Sequence, residues 1–403
     1  MTQNSHLHPS DVHGLSRLAV DATLGVTDLV EAMHHNISRL PVIPIPQKPA
    51  RTRGITGLVY RNIRSITQLV GYSADAVLGL AVPLLGEYSS SLKREATLAA
   101  LNGVLGDYLA DTGNPLAISM KFRRDGQPLA LATDALAAKY PEPSGKLVVL
   151  VHGLCMNDLQ WSRQGHDYGK ALRGDLGYSP IYLHYNSGRH ISTNGREFAD
   201  LLEVLVKQWP AAVEELVILG HSVGGLVARS ACHYAGAAGH AWLDYLKKLV
   251  FIGAPHHGSP LERLGNWFET SLGISRYTSP LARLGKIRSA CITDLRFGNL
   301  LDLDWEGEDR FKPMPDARRP VPLPAGVQSY AIAAVTATQV GDLDNPLMGD
   351  GPVPLGSALG RHTQPDLDLA IPESRQWVGY GMNHWDLLSS GEVYEHIKGW
   401  LAD

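Results

Sequence analysis

Cysteine is scarce in this chain: three residues in 403, Cys155, Cys232 and Cys291, lying far apart. So few and so widely spaced, they make neither a disulfide framework nor a metal knuckle, and a reducing compartment is the plainer expectation. Net charge is nearly absent as well, a formal −4, which leaves no electrostatic reason to expect nucleic acid or a polyanionic substrate. Asp302 and Asp304 are too sparse for a calcium loop, and no other constellation suggests a metal or cofactor. Residues Met1 to Ser10 are polar and lack the charged-then-apolar order of a signal peptide. The expected location is therefore cytoplasmic, with peripheral membrane attachment as a variant.

A long, uniformly apolar segment is missing too. Between Arg64 and Glu87 the only charge is Asp75. Yet Gln68, Ser73 and Pro83 interrupt Ile66 to Gly86, and the apolar residues recur at helical spacing, whereas a spanning helix is more uniformly apolar. The stretch reads as a buried or interfacial helix pair.

What the sequence does contain is a globular composition, 44% hydrophobic and 19% charged, in a chain longer than one ordinary domain. One large α/β domain with an appended region is expected. The appended region is residues 1–114, read as helical. Leu15, Leu18, Leu24, Leu29, Val30, Met33 and Ile37 follow a helical rhythm up to the proline-rich Pro41–Pro49. A second helix is expected over Gly54–Leu85, and a third over Ser91–Asp111, stopped by Thr112-Gly113-Asn114-Pro115. This extension reads either as a packing element or as a module for peripheral membrane contact, with Lys48, Arg51, Arg53, Arg61 and Arg64 as its basic flank.

From residue 115 the texture changes. Ala117–Phe122 and Pro128–Leu131 flank Asp125-Gly126, a hairpin signal. Unbroken apolar runs follow at Lys146–Val151, Pro180–Tyr185, Glu215–Leu219, Leu249–Ile252, Tyr330–Val335 and Gln376–Tyr380. Such runs suit strands buried on both faces of a parallel sheet. Helical stretches at Phe198–Trp209 and Leu226–Ala235 lie between them, so a doubly wound α/β sheet is expected.

Gly220-His221-Ser222-Val223-Gly224 follows one of these strands and precedes a helix. A serine on so sharp a turn projects its hydroxyl above the sheet, and glycines on either side leave room for the neighbouring backbone. The segment resembles the nucleophile elbow of lipase-like α/β-hydrolases, a family of serine esterases, and the likeness extends over roughly residues 146–403. The first 114 residues have no counterpart in it. The resemblance implies an α/β-hydrolase fold with Ser222 as nucleophile. It also implies an oxyanion hole made by the amides of Leu154, after Val151-His152-Gly153, and of Val223.

In this fold the acid and the base follow the serine in that order. His384 sits in Gly381-Met-Asn-His-Trp, after the last predicted strand and before a helix at Val393–Leu401, and is the expected base; His396 falls within that helix. Among Asp342, Asp344, Asp350, Asp366 and Asp368, Asp350 lies in Gly349-Asp-Gly-Pro-Val-Pro, resembling the family's acid-bearing segment, with Asp344 as reserve. Pro352 departs from the usual pattern there and should stiffen the loop. His256 and His257, in Ala254-Pro-His-His-Gly-Ser, resemble a stretch that lines the family's site, so a substrate contact is as open as a structural role. A cap is expected over about 261–326, where Trp267 and Phe268 would meet substrate.

The activity expected from these residues is hydrolysis of hydrophobic small-molecule or lipid esters through an acyl-enzyme. Thioesterase, amidase and acyltransferase chemistry would use the same triad. A membrane-associated binding protein with a secondary hydrolase domain stands as the rival class.

Overall fold

The computed structural model describes residues 8–37, 54–81, 91–259, 288–310, 315–337 and 349–402. Trp267, Phe268, the reserve Asp344 and the first part of the expected cap lie outside the described residues. The chain divides into two compact units, Met1–Ser91 with Asp111–Ala117, and Leu92–Ala110 with Ile118–Asp403.

In the first unit, α1 (Pro9–Ile37) packs along α2 (Gly54–Ala81). Their order is antiparallel, because His13 and Arg17 meet Asp75 at 2.7 and 3.0 Å while Arg64 meets Asp28 at 2.6 Å. Gly71 lets the helices close, since a Cβ there would stand 2.8 Å from Val20. The expected helix pair over residues 66–86 is instead one helix through Ala81 within the described residues. Ser73 does not break it, because its hydroxyl donates to the Leu69 carbonyl one turn back. Nor is the stretch buried: Ile66, Leu69, Val70, Tyr72 and Val77 are all exposed.

The second unit is built on one sheet. Its strands are β1 (Lys121–Arg124), β2 (Gln127–Pro128), β3 (Lys146–Val151), β4 (Ser179–His184), β5 (Glu215–His221), β6 (Leu246–Ile252), β7 (Gln328–Val335) and β8 (Gln376–Tyr380). They stand in the order β8-β7-β6-β5-β3-β4-β1-β2. Strands β3 to β8 are parallel, and β1 joins β4 and β2 antiparallel. Asp125 and Gly126 take φ of 50° and 75° to turn the β1–β2 hairpin, the two positive values a two-residue turn of this kind needs.

The apolar runs are explained by two cores. Leu147, Val149 and Val151 of β3 face one core with Ile218, Phe251 and Ala331. Val148 and Leu150 face the other with Val217, Val250 and Ile332. Helices α6 (Ile191–Gln208) and α7 (Val223–Ala238) cover the first core. Helices α5 (Tyr168–Leu176) and α10 (Gly391–Ala402) cover the second. Three short helices complete the count among the described residues: α4 (Thr133–Lys139), α8 (Ala290–Asp294) and α9 (Leu355–Ala358). The chain leaves β3 toward β4 and then returns to β5 on the other side, so the crevice at the carboxyl ends of β3 and β5 is the topological switch point. This is the α/β-hydrolase fold.

One boundary differs from the sequence reading. Helix α3 (Leu92–Asp111), assigned there to the extension, clusters with the α/β unit through Ala110. Its buried face carries Ala99, Leu105 and Leu109, and Glu95 holds Arg123 of β1 at 2.8 Å. Helical periodicity marks an apolar face but does not say which partner covers it. A chain beginning at residue 91 is therefore expected to fold cooperatively, whereas one beginning at residue 115 should lose the transition or unfold several degrees lower. Thermal unfolding followed by circular dichroism distinguishes them.

Candidate active site

Ser222 occupies the turn between β5 and α7 with φ 55° and ψ −129°, a strained backbone region for any residue with a Cβ. The strain is held by close packing. Its amide donates to the Ile252 carbonyl at 2.8 Å, tying the turn to the end of β6. A Cβ on Gly220 would stand 2.6 Å from Gly225, and one on Gly224 would stand 2.3 Å from the Val151 carbonyl oxygen. Only glycine fits at either position. A Cβ on Gly153 would likewise lie 2.9 Å from the Ser222 Cβ, so the loop after β3 abuts the serine directly.

That loop is braced from several sides. His152 stacks on Tyr185 with ring centroids 4.3 Å apart, and the Tyr185 hydroxyl donates to the His152 carbonyl at 2.8 Å. Cys155 takes φ of 60° and donates its amide to Ser187 Oγ at 3.0 Å. Between these anchors, the Leu154 amide makes no hydrogen bond among the described residues. Val223 opens α7, where the first amides have no intrahelical acceptor. Burial makes the loop's titratable groups inert: the His152 imidazole is pushed down to about 3, and the Cys155 thiol is pushed up.

Asp350 and His384 form a buried dyad. Asp350 Oδ2 lies 2.6 Å from His384 Nδ1, while Oδ1 accepts from the Val353 amide at 3.0 Å. A second link fixes the pair's register, because the His384 amide donates to the Asp350 carbonyl at 3.0 Å. The stiffening expected of Pro352 has a visible partner in Ser259, whose hydroxyl donates to the Pro352 carbonyl. The dyad sits over Gly253 at the end of β6, where a Cβ would be 3.1 Å from the His384 ring and 3.2 Å from Asp350 Oδ2. The His384 ring also lies 4.6 Å from that of His221, whose Nε2 is 3.3 Å from the His384 carbonyl oxygen. His384 Nε2 is buried without a hydrogen-bond partner.

The structure thus gathers Ser222, the Gly153–Leu154 turn, Asp350 and His384 at the carboxyl ends of β3, β5 and β6. It gives His256 and His257 different neighbours. His256 packs edge-on against Phe251 and lies near Arg229, and His257 lies near Arg318 and His362. Trp267 and Phe268 fall outside the described residues.

Two supports were absent from the sequence reading. One is His221, inside the elbow motif, which contacts the His384 loop. The other is α3: a Cβ on Gly103 would stand 2.8 Å from the Cys155 amide nitrogen, and one on Gly106 would meet Asn186. Asn186 Nδ2 donates to the Gly106 carbonyl and Ser289 Oγ to that of Gly103, at 2.8 and 2.7 Å. Glycines three apart in Asn102-Gly-Val-Leu-Gly106 were the available signal for a helix in close backbone contact.

Residues 142–318 match the PGAP1-like alpha/beta domain family. No curated protein matches the sequence. Among solved structures, a mature lipase of Bacillus licheniformis is 16% identical over 70% of this chain and 98% of its own, with a TM-score of 0.44. A Listeria innocua gene product is 16% identical over 64% of this chain and 93% of its own, with a TM-score of 0.38. A lipase-esterase related protein of Clostridium acetobutylicum is 15% identical over 64% of this chain and 94% of its own, with a TM-score of 0.35.

The packing of α3 against the loop after β3 carries a direct expectation. Gly103→Ala should lower stability by about 1–3 kcal/mol through overpacking against Cys155. An alanine at the solvent-facing Gly174 has nothing to meet and should not destabilise. Urea unfolding midpoints of the two variants make the comparison.

Proposed function

From the α/β-hydrolase fold of the larger unit and the geometry of its candidate site, we propose that this protein is a serine ester hydrolase acting on hydrophobic carboxylic esters. The proposed roles are Ser222 as nucleophile, His384 as general base and acid, Asp350 as the orienting carboxylate, and the amides of Leu154 and Val223 as oxyanion donors. The observation that carries the reading is the combination of a left-handed Ser222 pressed against Gly153 with a buried Asp350–His384 hydrogen bond beside the elbow.

Asp350 accepts from Nδ1–H, which leaves Nε2 as the basic nitrogen. Nε2 makes no competing hydrogen bond among the described residues; contacts of this kind tighten when substrate binds. In the proposed cycle Nε2 takes the Ser222 Oγ proton as Oγ attacks the carbonyl carbon. The tetrahedral oxyanion accepts from the two free amides, donors already fixed in place and so costing no reorganisation. The alcohol departs with the proton from Nε2. Water then repeats the sequence on the acyl-enzyme and restores Ser222. The apolar Met156 side chain, beside Gly153 where that residue abuts Ser222, supports a preference for apolar acyl groups.

Ser222→Ala is expected to lower kcat on p-nitrophenyl esters by on the order of 10³-fold or more with the fold intact. A serine-directed phosphonate should label Ser222 stoichiometrically and abolish turnover in parallel. Full turnover in fully phosphonylated protein would overturn the assignment.

A further inference from the structure

Outside the catalytic cluster, the most unusual electrostatic feature of the second unit is Arg229. It lies on α7 seven residues beyond Ser222, about 10 Å along the helix axis, and its side chain is buried, the residue being 5% exposed. Among the described residues no carboxylate meets it. Its Nη2 donates to the Val321 carbonyl at 2.6 Å, its Nη1 lies 3.4 Å from His256 Nδ1, and its Nε has no hydrogen-bond partner. Burying an uncompensated guanidinium is costly, and the expected remedy is a counter-charge.

The neighbours of Arg229 make the imbalance larger. Arg318 enters the same cleft, donating from Nη1 to the His256 carbonyl at 3.1 Å and meeting His257 Nδ1 with Nη2 at 3.1 Å. A guanidinium can only donate, so the facing Nδ1 atoms of both histidines accept, and the proton of each neutral ring sits on Nε2. For His256 that Nε2–H is buried, 1% exposed as a residue, and without a partner. Burial and then the nearby guanidinium of Arg229 hold His256 far below the usual imidazole range, so it stays neutral. The same desolvation, joined by Arg318, brings Arg229 down to about 9. Three carboxylates stand about the cluster: Asp316, 3.3 Å from Arg318 Nε, Asp304, which accepts from the Arg319 amide at 2.9 Å and also acts on Arg318, and Asp366 in the lining. None of the three forms a hydrogen bond or ion pair with Arg229. The buried end of the cleft therefore presents donors without an acceptor.

We propose that this cleft is a binding subsite for an oxyanion, a phosphate or carboxylate group, held by Arg229, His256 and Arg318 with Arg319 at the rim. The enclosed space is about 10 Å³, room for roughly one oxygen atom. One oxygen of the group thus enters beside the Arg229 and Arg318 guanidinium groups, while the remainder stays at the rim beside Arg319. The ligand source is either an anionic part of an ester substrate or a separate small effector. The subsite itself does not depend on the hydrolase reading, because binding is measured directly.

The test uses the full-length protein and inorganic phosphate and acetate as probes, with chloride at matched ionic strength as reference. Isothermal titration should give saturable, stoichiometric binding of phosphate or acetate, together with a raised unfolding midpoint. Arg229→Gln and Arg318→Gln should each weaken it about tenfold. Arg319→Gln, on an exposed residue that can be changed without disturbing the interior, should weaken it severalfold. No binding beyond chloride, or equal binding by wild type and Arg319→Gln together with whichever buried variant folds, overturns the proposal. Where binding is found, its effect on hydrolysis of a neutral p-nitrophenyl ester separates the sources: competition with the ester marks a substrate group, and a change in kcat without competition marks an effector.

Discussion

The architecture depends on how closely three backbones approach one another beneath Ser222. The ends of β3, β5 and β6 converge there, and Gly153, Gly220 and Gly224 each occupy a position where a Cβ would overlap a neighbour. That density holds the serine at a positive φ it would not adopt in a looser turn. Strain of this kind persists only where the surroundings over-determine it. Here the surroundings are the two-sided core, which fixes the register of every central strand.

From that point the rest of the site is assembled by hydrogen bonds of fixed direction. Asp350 divides its two oxygens between the Val353 amide and the His384 ring, and its own carbonyl receives the His384 amide. The imidazole is thereby positioned by two contacts to one residue, and rotation about either alone would break the other. The loop after β3 is treated in the same way, with the Tyr185 and Ser187 hydroxyls each gripping one of its backbone groups.

The centre of the sheet was legible in the sequence because a strand buried on both faces has no polar alternation to obscure it, as in Lys146–Val151, while the half-buried edge strand Gln376–Tyr380 also has the bounds its sequence implies. The turn that bears Ser222 and the loops that bear Asp350 and His384 could be picked out as candidates because each lies in a short motif whose glycines and neighbours are local in sequence. Contacts between distant segments were not. Nothing near Gly103 announces that Cys155 will lie against it, and nothing in Ala254-Pro-His-His says that Arg229 and Arg318 will flank the two rings. The assignment of α3 failed for the same reason: an apolar helical face reports that something covers it, and the covering residues stand far along the chain.

The partners of α3 have a consequence for how the protein is made. The helix leaves the ribosome well before the residues it must contact, which lie 80 positions later in Asn186 and 186 later in Ser289. Its Gly103–Gly106 backbone therefore completes these contacts only after strands β1 to β6 have been made, although Glu95 can meet Arg123 earlier. The earliest-made helix of the larger unit is among the last to find its place, a long-range ordering that slows folding and leaves a nascent chain in need of protection.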